Sequence, residues 1–423
     1  MKRLLLWFIL VTIISCITIS CAKKKEDALR ILIWGTPEEV KTVDSQLESY
    51  KKLHPDFKYK ILHRTATFFD EYLQLLFMKD DPPDLTYMSK EWFPFYAANN
   101  LLANLDEFIT KDNSFDTADF YLELIESFRY NGKLYGIAKD FTTMVLYFNK
   151  DLFDKEGIRY PEKKMTWDQF LEIAKKLTKD FDNDKTIDQY GYIVETWLLE
   201  VAPWVWQNGA EITENRQWVL GDKKYRAKSI EALKFIYDLI YTYKVAPDPK
   251  TLSQFGGLNL FMSNKAAMCT YGRWACLEFK KIDNFKWGIT HIPYKEKQAG
   301  PIFTVAWVIP EKSNNKELAW EVLKYFVGYD VQTKVAESGL AIPVRKSIAQ
   351  SSSFLSSAGL PSSINQFIFI EALSYSRYLE TVPQWKNLDH AINVDLLDPV
   401  FKENKPIDVC IDAIQKHADN ILK

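Results

Sequence analysis

The sequence predicts an α/β fold built around a parallel sheet. Short apolar runs of strand length alternate with segments whose apolar residues recur at helical spacing, and the alternation persists along most of the chain. The chain has 423 residues, of which 47% are hydrophobic, which is enough to bury the cores of two or three domains. It contains no long linker rich in Gly, Pro or Ser, so two lobes would have to be joined by close chain crossings.

Residues 28 to 88 alternate three strands with two helices. The run Ala28–Trp34 is β-branched and aliphatic, and the turn residues that begin at Gly35 end it. Residues 37–54 then place apolar side chains at helical spacing, and Pro55 stops the helix. The pattern continues with a strand at 59–63, a helix at 69–78 and a strand at 84–88.

Later segments repeat this alternation. Thr166 is predicted to cap a helix whose apolar residues, among them Phe170 and Leu177, share one face. The other predicted elements are a strand at 144–148, a helix that starts at 151, and helices at 229–243 and 316–327.

Charge and motifs exclude several classes of function. The chain has 54 basic and 56 acidic side chains, without the basic excess or stripe of a nucleic-acid binder. Its five histidines are scattered, and the motifs HExxH, CxxC and GxSxG are absent from the sequence. We therefore expect no enzyme, no cofactor and no metal. A glycoside hydrolase stays open as an alternative, because it needs only two carboxylates placed across one bond.

The N-terminus has the parts of a secretory signal. Lys2 and Arg3 precede an apolar run from residue 4 to 19, and a polar segment starts directly after Cys21. Residues 1–20 resemble a bacterial lipoprotein signal peptide, which implies lipidation of Cys21 and attachment to a membrane. Cys16 is the alternative lipidation site, and an uncleaved anchor helix is the alternative to cleavage.

Four stretches, in a fixed order, resemble one family. They are NGKLYGI leading to LYFNKDLF (131–153), GI leading to MTWDQF (157–170), FMSNKAAMCTYGRW (261–274), and the set IP, VIP, KELAW and IPVR between 292 and 345. Together they resemble the extracellular solute-binding proteins of bacterial ABC importers, in the sugar-binding group that includes maltose-binding protein. Asn264, in place of a common Gly, and Lys139, near a common Pro, depart from the pattern.

The resemblance implies two α/β lobes with several crossings and a central cleft that closes on its ligand. Lobe 1 would hold residues 29–139 and 292–338, and lobe 2 residues 140–291 and 340–423. The resemblance also implies a monomer that captures a sugar or oligosaccharide and delivers it to an ABC permease with its ATPase. The compartment, a periplasm or the open cell surface, stays undecided, and another polar solute is an alternative ligand.

Candidate ligand residues in lobe 1 follow predicted strands, where α/β sheets bind ligands. Trp34 ends the first strand, and Thr67 and Phe68 follow the second. Asp84 occupies a position that often contacts sugar in the family, with backbone capping as an equal alternative. By the same resemblance, Asp140 faces the cleft.

The other candidates would offer a sugar flat apolar faces or hydrogen-bonding groups. Trp274 is expected to stack on the sugar and Arg273 to donate hydrogen bonds; a buried Trp and a salt-bridged Arg are the alternatives. At least one of Trp204 and Trp206 is expected to be a stacking platform. The remaining candidates are Asn208, Trp307, Arg345 and Trp385, with core packing as the alternative for Trp307 and a salt bridge for Arg345.

The segment 180–188 has aspartates at alternate positions and resembles a calcium loop. An EF-type loop would need Gly at Lys185 and Glu at Gly191, so the sequence favours a solvated turn.

Overall fold

The structure is a computed structural model that describes residues 28–357, 360–361 and 364–423. The predicted signal peptide at 1–20 and the lipidation predicted at Cys21 or Cys16 lie outside these residues.

Strands and helices alternate along the described chain, which confirms the α/β class. The strands are β1 (Leu29–Trp34), β2 (Tyr59–Arg64), β3 (Leu85–Ser89), β4 (Arg129–Tyr130), β5 (Lys133–Leu134), β6 (Gly136–Thr143), β7 (Val145–Asn149), β8 (Thr213–Glu214), β9 (Gln217–Trp218), β10 (Met268–Tyr271), β11 (Trp287–Thr290), β12 (Gly300–Val308), β13 (Ile342–Pro343) and β14 (Ser376–Arg377).

The helices fill the connections. They are α1 (Pro37–Leu53), α2 (Ala66–Met78), α3 (Phe93–Ala98), α4 (Asp106–Lys111), α5 (Leu122–Glu126), α6 (Lys150–Lys155), α7 (Trp167–Leu177), α8 (Leu198–Gln207), α9 (Arg226–Tyr237), α10 (Pro249–Phe255), α11 (Gly257–Met262), α12 (Cys276–Phe279), α13 (Lys316–Phe326), α14 (Tyr329–Ser338), α15 (Lys346–Ala349), α16 (Ser352–Leu355), α17 (Phe367–Glu371), α18 (Trp385–Ile392), α19 (Asp398–Phe401) and α20 (Ile407–Ile421). Thr166 caps α7 as predicted, in a reciprocal capping box with Gln169. Within the described residues, every helix is too short or too polar to cross a bilayer.

The larger sheet belongs to the first lobe and has the strand order β13-β6-β12-β3-β1-β2, with β14 beside the start of β12. β1 pairs in parallel with both β2 and β3, and β12 runs antiparallel between β3 and β6. Parallel strands are covered on both faces, which explains why the aliphatic side chains of β1 are fully buried. The carboxyl ends of β1, β2 and β3 therefore meet at one edge of this sheet.

The smaller sheet belongs to the second lobe and has the order β10-β7-β11, with antiparallel pairs. The segment before α8 extends it, because Ile193 forms a parallel bridge with Cys269 of β10. The chain passes from β6 of the larger sheet to β7 of the smaller through Met144 alone, and it returns between β11 and β12. These short crossings agree with the absence of a linker in the sequence.

The strand pairing moves two of the expected lobe boundaries. The boundary at 139/140 falls inside β6, which stays in the larger sheet as far as Thr143. The boundary at 338/340 precedes β13, which pairs with β6, and α15 and α16 then pack on α14. We therefore propose that the first lobe extends to Thr143 and again to about Leu355.

Candidate functional site

The two lobes meet at the edge of the larger sheet where the parallel strands end. Trp34, Arg64 and Ser89 are the last residues of β1, β2 and β3, and the same edge holds the crossing from β6 to β7. Loops at the carboxyl ends of parallel strands are where α/β sheets bind ligands. We call this region the interlobe junction.

An aromatic cluster forms the first-lobe wall of the interlobe junction. The indole of Trp34 meets Phe69, Tyr87 and Trp92 edge to face, with ring centroids 4.6, 5.1 and 5.6 Å apart. Trp34 and Trp92 are partly exposed, and Trp92 packs against the hydrophobic cores of both lobes. This wall therefore presents indole surface toward the second lobe.

A second group of aromatic rings continues across the junction. Trp197 lies just before α8 and is 41% exposed, and its ring centroid is 5.7 Å from that of Phe303 on β12. Phe303 in turn meets Trp274 edge to face at 5.0 Å. Rings from both lobes therefore face one region, although they are far apart in the sequence.

The position of Trp274 depends on Gly272. The indole folds back over this residue, so that a Cβ on Gly272 would lie 2.1 Å from Trp274 Cζ3. The indole also packs against the small cluster of Leu277, Leu340 and Ala341. Only glycine leaves room for this arrangement.

A buried charged cluster lies under the first-lobe wall. The Lys139 ammonium contacts the carboxylate of Asp140, is 3.6 Å from Glu39 Oε1 and lies 4.6 Å from the centre of the Tyr87 ring. Burial raises the pKa of Glu39 to about 7, against the lowering effect of Lys139. Gly35 has φ +138°, and a Cβ there would lie 2.1 Å from Glu39 Oε2, so this turn also needs glycine.

Further carboxyl groups surround the junction. Burial, followed by the charge of Asp70, raises the pKa of Asp389 on α18 to about 6, and burial likewise raises the pKa of Glu91, which also feels the charge of Asp389. Lys386 Nζ joins the lobes by contacting Asp70 Oδ2 at 2.5 Å. In the second lobe, Tyr271 donates a 2.8 Å hydrogen bond to Glu195 Oε1. The junction thus offers hydroxyl acceptors next to flat apolar faces.

Glu200, on helix α8 of the second lobe, has an incomplete set of hydrogen bonds. It is 3% exposed, its Oε2 is 3.3 Å from Thr270 Oγ1, and its Oε1 has no hydrogen-bond partner among the described residues. Burial, then the charge of Glu195, raises its pKa well above the ordinary value. The stability that neutral Glu200 provides is complete below the unfolded-state pKa of about 4.3 and is lost as pH rises through the raised pKa.

We therefore expect Glu200→Gln to stabilise the protein in alkaline solution. At pH 8 the gain should be about 1–3 kcal/mol, because the variant removes an uncompensated buried carboxylate. At pH 4 the two proteins should be equally stable. Urea unfolding at both pH values measures this, with the exposed Glu172→Gln as control; a gain that is the same at pH 4 and pH 8 contradicts the assignment.

Five of the predicted ligand residues lie at the interlobe junction. Trp34 and Trp274 form parts of its walls, and Asp140 lies beneath them. Thr67 and the 60% exposed Phe68 lie in the first turn of α2, which begins where β2 ends.

Asp84 does not lie at the junction and takes the alternative role of a capping residue. It precedes β3, at the opposite edge of the sheet from the strand ends. Its oxygens accept hydrogen bonds from the Arg30 N–H at 2.9 Å, the Ser313 hydroxyl at 2.7 Å and the Asn315 amide at 3.2 Å. Because three internal donors already occupy this carboxylate, it stabilises the surrounding loops and is not available to a ligand. The ligand assignment of Asp84 is therefore corrected.

Trp204, Trp206 and Asn208 are also corrected, because they belong to the second-lobe core. Both indoles lie on the fully buried helix α8, which continues through Pro203 instead of forming a loop. Trp204 is 5% exposed and Trp206 1% exposed. The Asn208 amide donates to Lys228 O at 2.8 Å. None of the three offers a surface to a ligand in this arrangement.

Arg273 is a structural residue although it precedes Trp274. It is fully buried, and its guanidinium donates to Ala341 O at 2.6 Å, Ala336 O at 3.0 Å and Gln366 Oε1 at 2.6 Å. It also lies 4.3 Å from the centre of the Phe354 ring. Burial lowers the pKa of Arg273 to about 10, so it keeps its charge at neutral pH. The predicted role as a sugar donor is wrong because these donors are already used.

The last three candidates take structural roles in packing or an ion pair, which corrects their assignment. Trp307 stacks on Phe326 at 4.5 Å in the first-lobe core. Arg345 forms the salt bridge left open for it, with Nη1 3.7 Å from Asp119 Oδ2, and also donates to Val327 O at 2.9 Å. Trp385 is 1% exposed in the second-lobe core.

Three aromatic residues at the junction were not predicted from the sequence: Trp92, Trp197 and Phe303. Trp92 follows β3 by three residues, so the same strand-end rule that selected Trp34 would have found it. Phe303 lies inside β12. The residue pattern of a strand does not distinguish an aromatic side chain at a binding site from one in the core.

Asp180, Asp182 and Asp188 each have a carboxylate oxygen within 4.8 Å of the others. Loop N–H groups donate to these carboxylates, as at Phe181 N to Asp188 Oδ2, 2.8 Å. The solvated turn stays the prediction for this segment.

Comparison with known proteins places this arrangement in context. The sequence profile described as bacterial extracellular solute-binding protein matches residues 47–361. A binding protein of Brucella abortus is 25% identical over 347 residues, 80% of each chain. The maltotriose-binding protein of Pyrococcus abyssi is 23% identical over 93% of this chain and 82% of its own. Among solved structures, an ABC substrate-binding protein from Listeria monocytogenes in complex with cycloalternan is 25% identical, with a TM-score of 0.83 over 93% of this chain and 97% of that one.

Proposed function

Since this chain belongs to the bacterial extracellular solute-binding protein family, we propose that it captures a sugar or short oligosaccharide at the interlobe junction and releases it unchanged. Relatives named for oligosaccharide ligands, including maltotriose and cycloalternan, support this choice of ligand class.

The observation that carries the proposal is the meeting of aromatic rings from both lobes. A sugar ring has an apolar C–H face that packs on flat aromatic surfaces. Trp34 and Trp92 offer such faces from the first lobe, and Trp197 and Trp274 from the second. A ligand between them would contact both lobes at once.

The carboxyl groups of the junction would bind the hydroxyls. Two of these groups are close in sequence to the rings, since Glu91 precedes Trp92 and Glu195 lies two residues before Trp197. The third, Asp389, interacts electrostatically with Glu91. Each can accept hydrogen bonds from sugar hydroxyls. Burial raises the pKa of all three carboxyl groups, that of Asp389 to about 6. These carboxyl groups suit an uncharged ligand that carries many hydroxyls.

Capture would work as a shift between lobe arrangements. A ligand that contacts both lobes favours the closed arrangement by the difference in its affinity for the closed and open states. Met144 is the single residue between the two sheets at the first crossing, so rotation there would change the lobe angle with little loss of packing.

In the cell, we propose that the protein is a monomer anchored through lipidated Cys21 on the outer side of the cytoplasmic membrane. It would deliver the sugar to a membrane permease whose ATPase drives import. These roles rest on the N-terminal sequence and on the family.

An oligosaccharide panel tests the proposal. Purified protein is titrated with maltose-, mannose- and arabinose-based oligosaccharides by calorimetry, and the sugars are then analysed by chromatography. We expect saturable binding and thermal stabilisation by at least one sugar, with no cleavage products. Cleavage would support the glycoside hydrolase, and binding of only a non-carbohydrate polar solute would replace the ligand class.

A further inference from the structure

The part of the first lobe where the described chain begins has the features of a membrane-contacting surface. Leu29 N donates to Lys58 O at 2.8 Å, just after α1, and Arg30 Nη1 donates to Pro82 O at 3.3 Å, just after α2. The start of β1 is thus held between the chain segments that follow these two helices. We call residues 51–60 and 78–82 around it the N-terminal pole.

Two large apolar side chains are exposed at the N-terminal pole. Leu53 ends α1 and is 68% exposed, and Met78 ends α2 and is 84% exposed. Right-handed crossovers place α1 and α2 on opposite faces of the sheet, so the two side chains flank the start of β1. Met78 is the most exposed large apolar residue among the described residues.

The charge of the N-terminal pole is mainly positive. Its stretches contain five exposed lysines, at positions 51, 52, 58, 60 and 79. Against them stand three aspartates, at positions 56, 80 and 81. Basic residues beside exposed apolar side chains are the composition that binds the surface of an anionic bilayer.

The proposed anchor would keep this surface close to lipid. Eight residue steps separate Cys21 from Leu29, which span at most about 28 Å when fully extended. Lys23, Lys24 and Lys25 fall within this tether. The N-terminal pole is therefore the part of the molecule that the tether holds nearest to the bilayer.

We infer that the N-terminal pole rests on the anionic phospholipid surface of the membrane, and this inference rests on the lipid anchor of the proposed function. The lipid on Cys21 would attach the chain to the membrane, and a basic surface beside it adds attraction to anionic headgroups that orients the lobe on the bilayer. In this orientation the interlobe junction, at the opposite edge of the sheet, faces away from the bilayer and is open to incoming sugar. Delivery then requires the protein to tilt.

Quenching by brominated lipid tests the inference on the full lipidated chain. Met78→Cys is labelled with a small fluorophore and reconstituted in vesicles of phosphatidylglycerol and phosphatidylcholine. The control is Phe181→Cys, which is 58% exposed in the second lobe. Cys269, Cys276 and Cys410 are buried, so the label goes to the introduced thiol.

We expect strong quenching at position 78 and little at position 181. Lys52→Glu combined with Lys79→Glu should remove most of the quenching at position 78 while the chain stays attached through its lipid, since each lysine near an anionic surface contributes about fivefold to the contact. Equal, weak quenching at both positions in a chain shown by mass spectrometry to carry lipid overturns the inference and leaves the proposed function intact. A chain without lipid on Cys21 overturns the anchor as well. Shielding of position 78 by a protein partner, without quenching by lipid, assigns the surface to that partner and overturns the inference.

Discussion

Replacing Arg273 with alanine is expected to lower the free energy of unfolding by about 3–5 kcal/mol. The guanidinium is fully buried and supplies the backbone carbonyls of Ala336 and Ala341 and the Gln366 side chain with hydrogen bonds. Its loss would leave these acceptors unpaired and open a cavity beside Phe354. Urea denaturation measures the change directly.

The matched control for this variant is an arginine on the surface. Arg226 pairs with Asp412 at 2.9 Å, but both side chains are substantially exposed, so Arg226→Ala should cost less than about 1 kcal/mol. Arg273→Lys should recover only part of the loss, since an ammonium cannot reach all of these acceptors. If Arg273→Ala is as stable as the Arg226 variant and instead loses sugar affinity, Arg273 binds ligand and the structural assignment is wrong.

Replacing the next residue, Trp274, with alanine is expected to weaken sugar binding about 30-fold, which corresponds to about 2 kcal/mol. The indole is partly exposed at the junction and meets Phe303, so its removal takes one aromatic face from the ligand. The stability of this variant should fall much less than that of Arg273→Ala. Calorimetric titration with the best sugar of the panel measures the affinity.

Two further variants distinguish the loss of stacking between Trp274 and the sugar from an indirect loss of sugar affinity. Phe181→Ala removes an exposed ring outside the junction and should leave affinity unchanged. Gly272→Ala keeps Trp274 but pushes its indole from its place, and it should also weaken binding. Wild-type affinity in both Trp274→Ala and Gly272→Ala would remove Trp274 from the site.

The sequence predicted the fold better than the site. Strand and helix patterns are local, and the α/β class, the helix cap at Thr166 and the short crossings were all visible in the chain. The strand-end rule also found Trp34. Asp84 was assigned from its position in the family, with backbone capping as an equal alternative, and its internal hydrogen bonds give it the capping role.

The failures at Trp206 and Arg273 have a common cause. Whether a large aromatic or an arginine faces a ligand or the core depends on partners distant in the sequence, such as Gln366 for Arg273 and Arg377 over the ring of Trp206. α8 also continues through Pro203, which places both Trp204 and Trp206 on a buried helix. Neighbouring residues can therefore have opposite roles, as Arg273 and Trp274 do.

Hydrogen exchange with and without bound sugar shows whether the ligand lies between the lobes. We expect the ligand to protect backbone amides on both sides of the interlobe junction, in the segments 89–92, 195–198 and 271–274. Protection limited to one lobe, or located at the outer first-lobe cavity of about 390 Å³ next to Asn104 and Lys316, would contradict it.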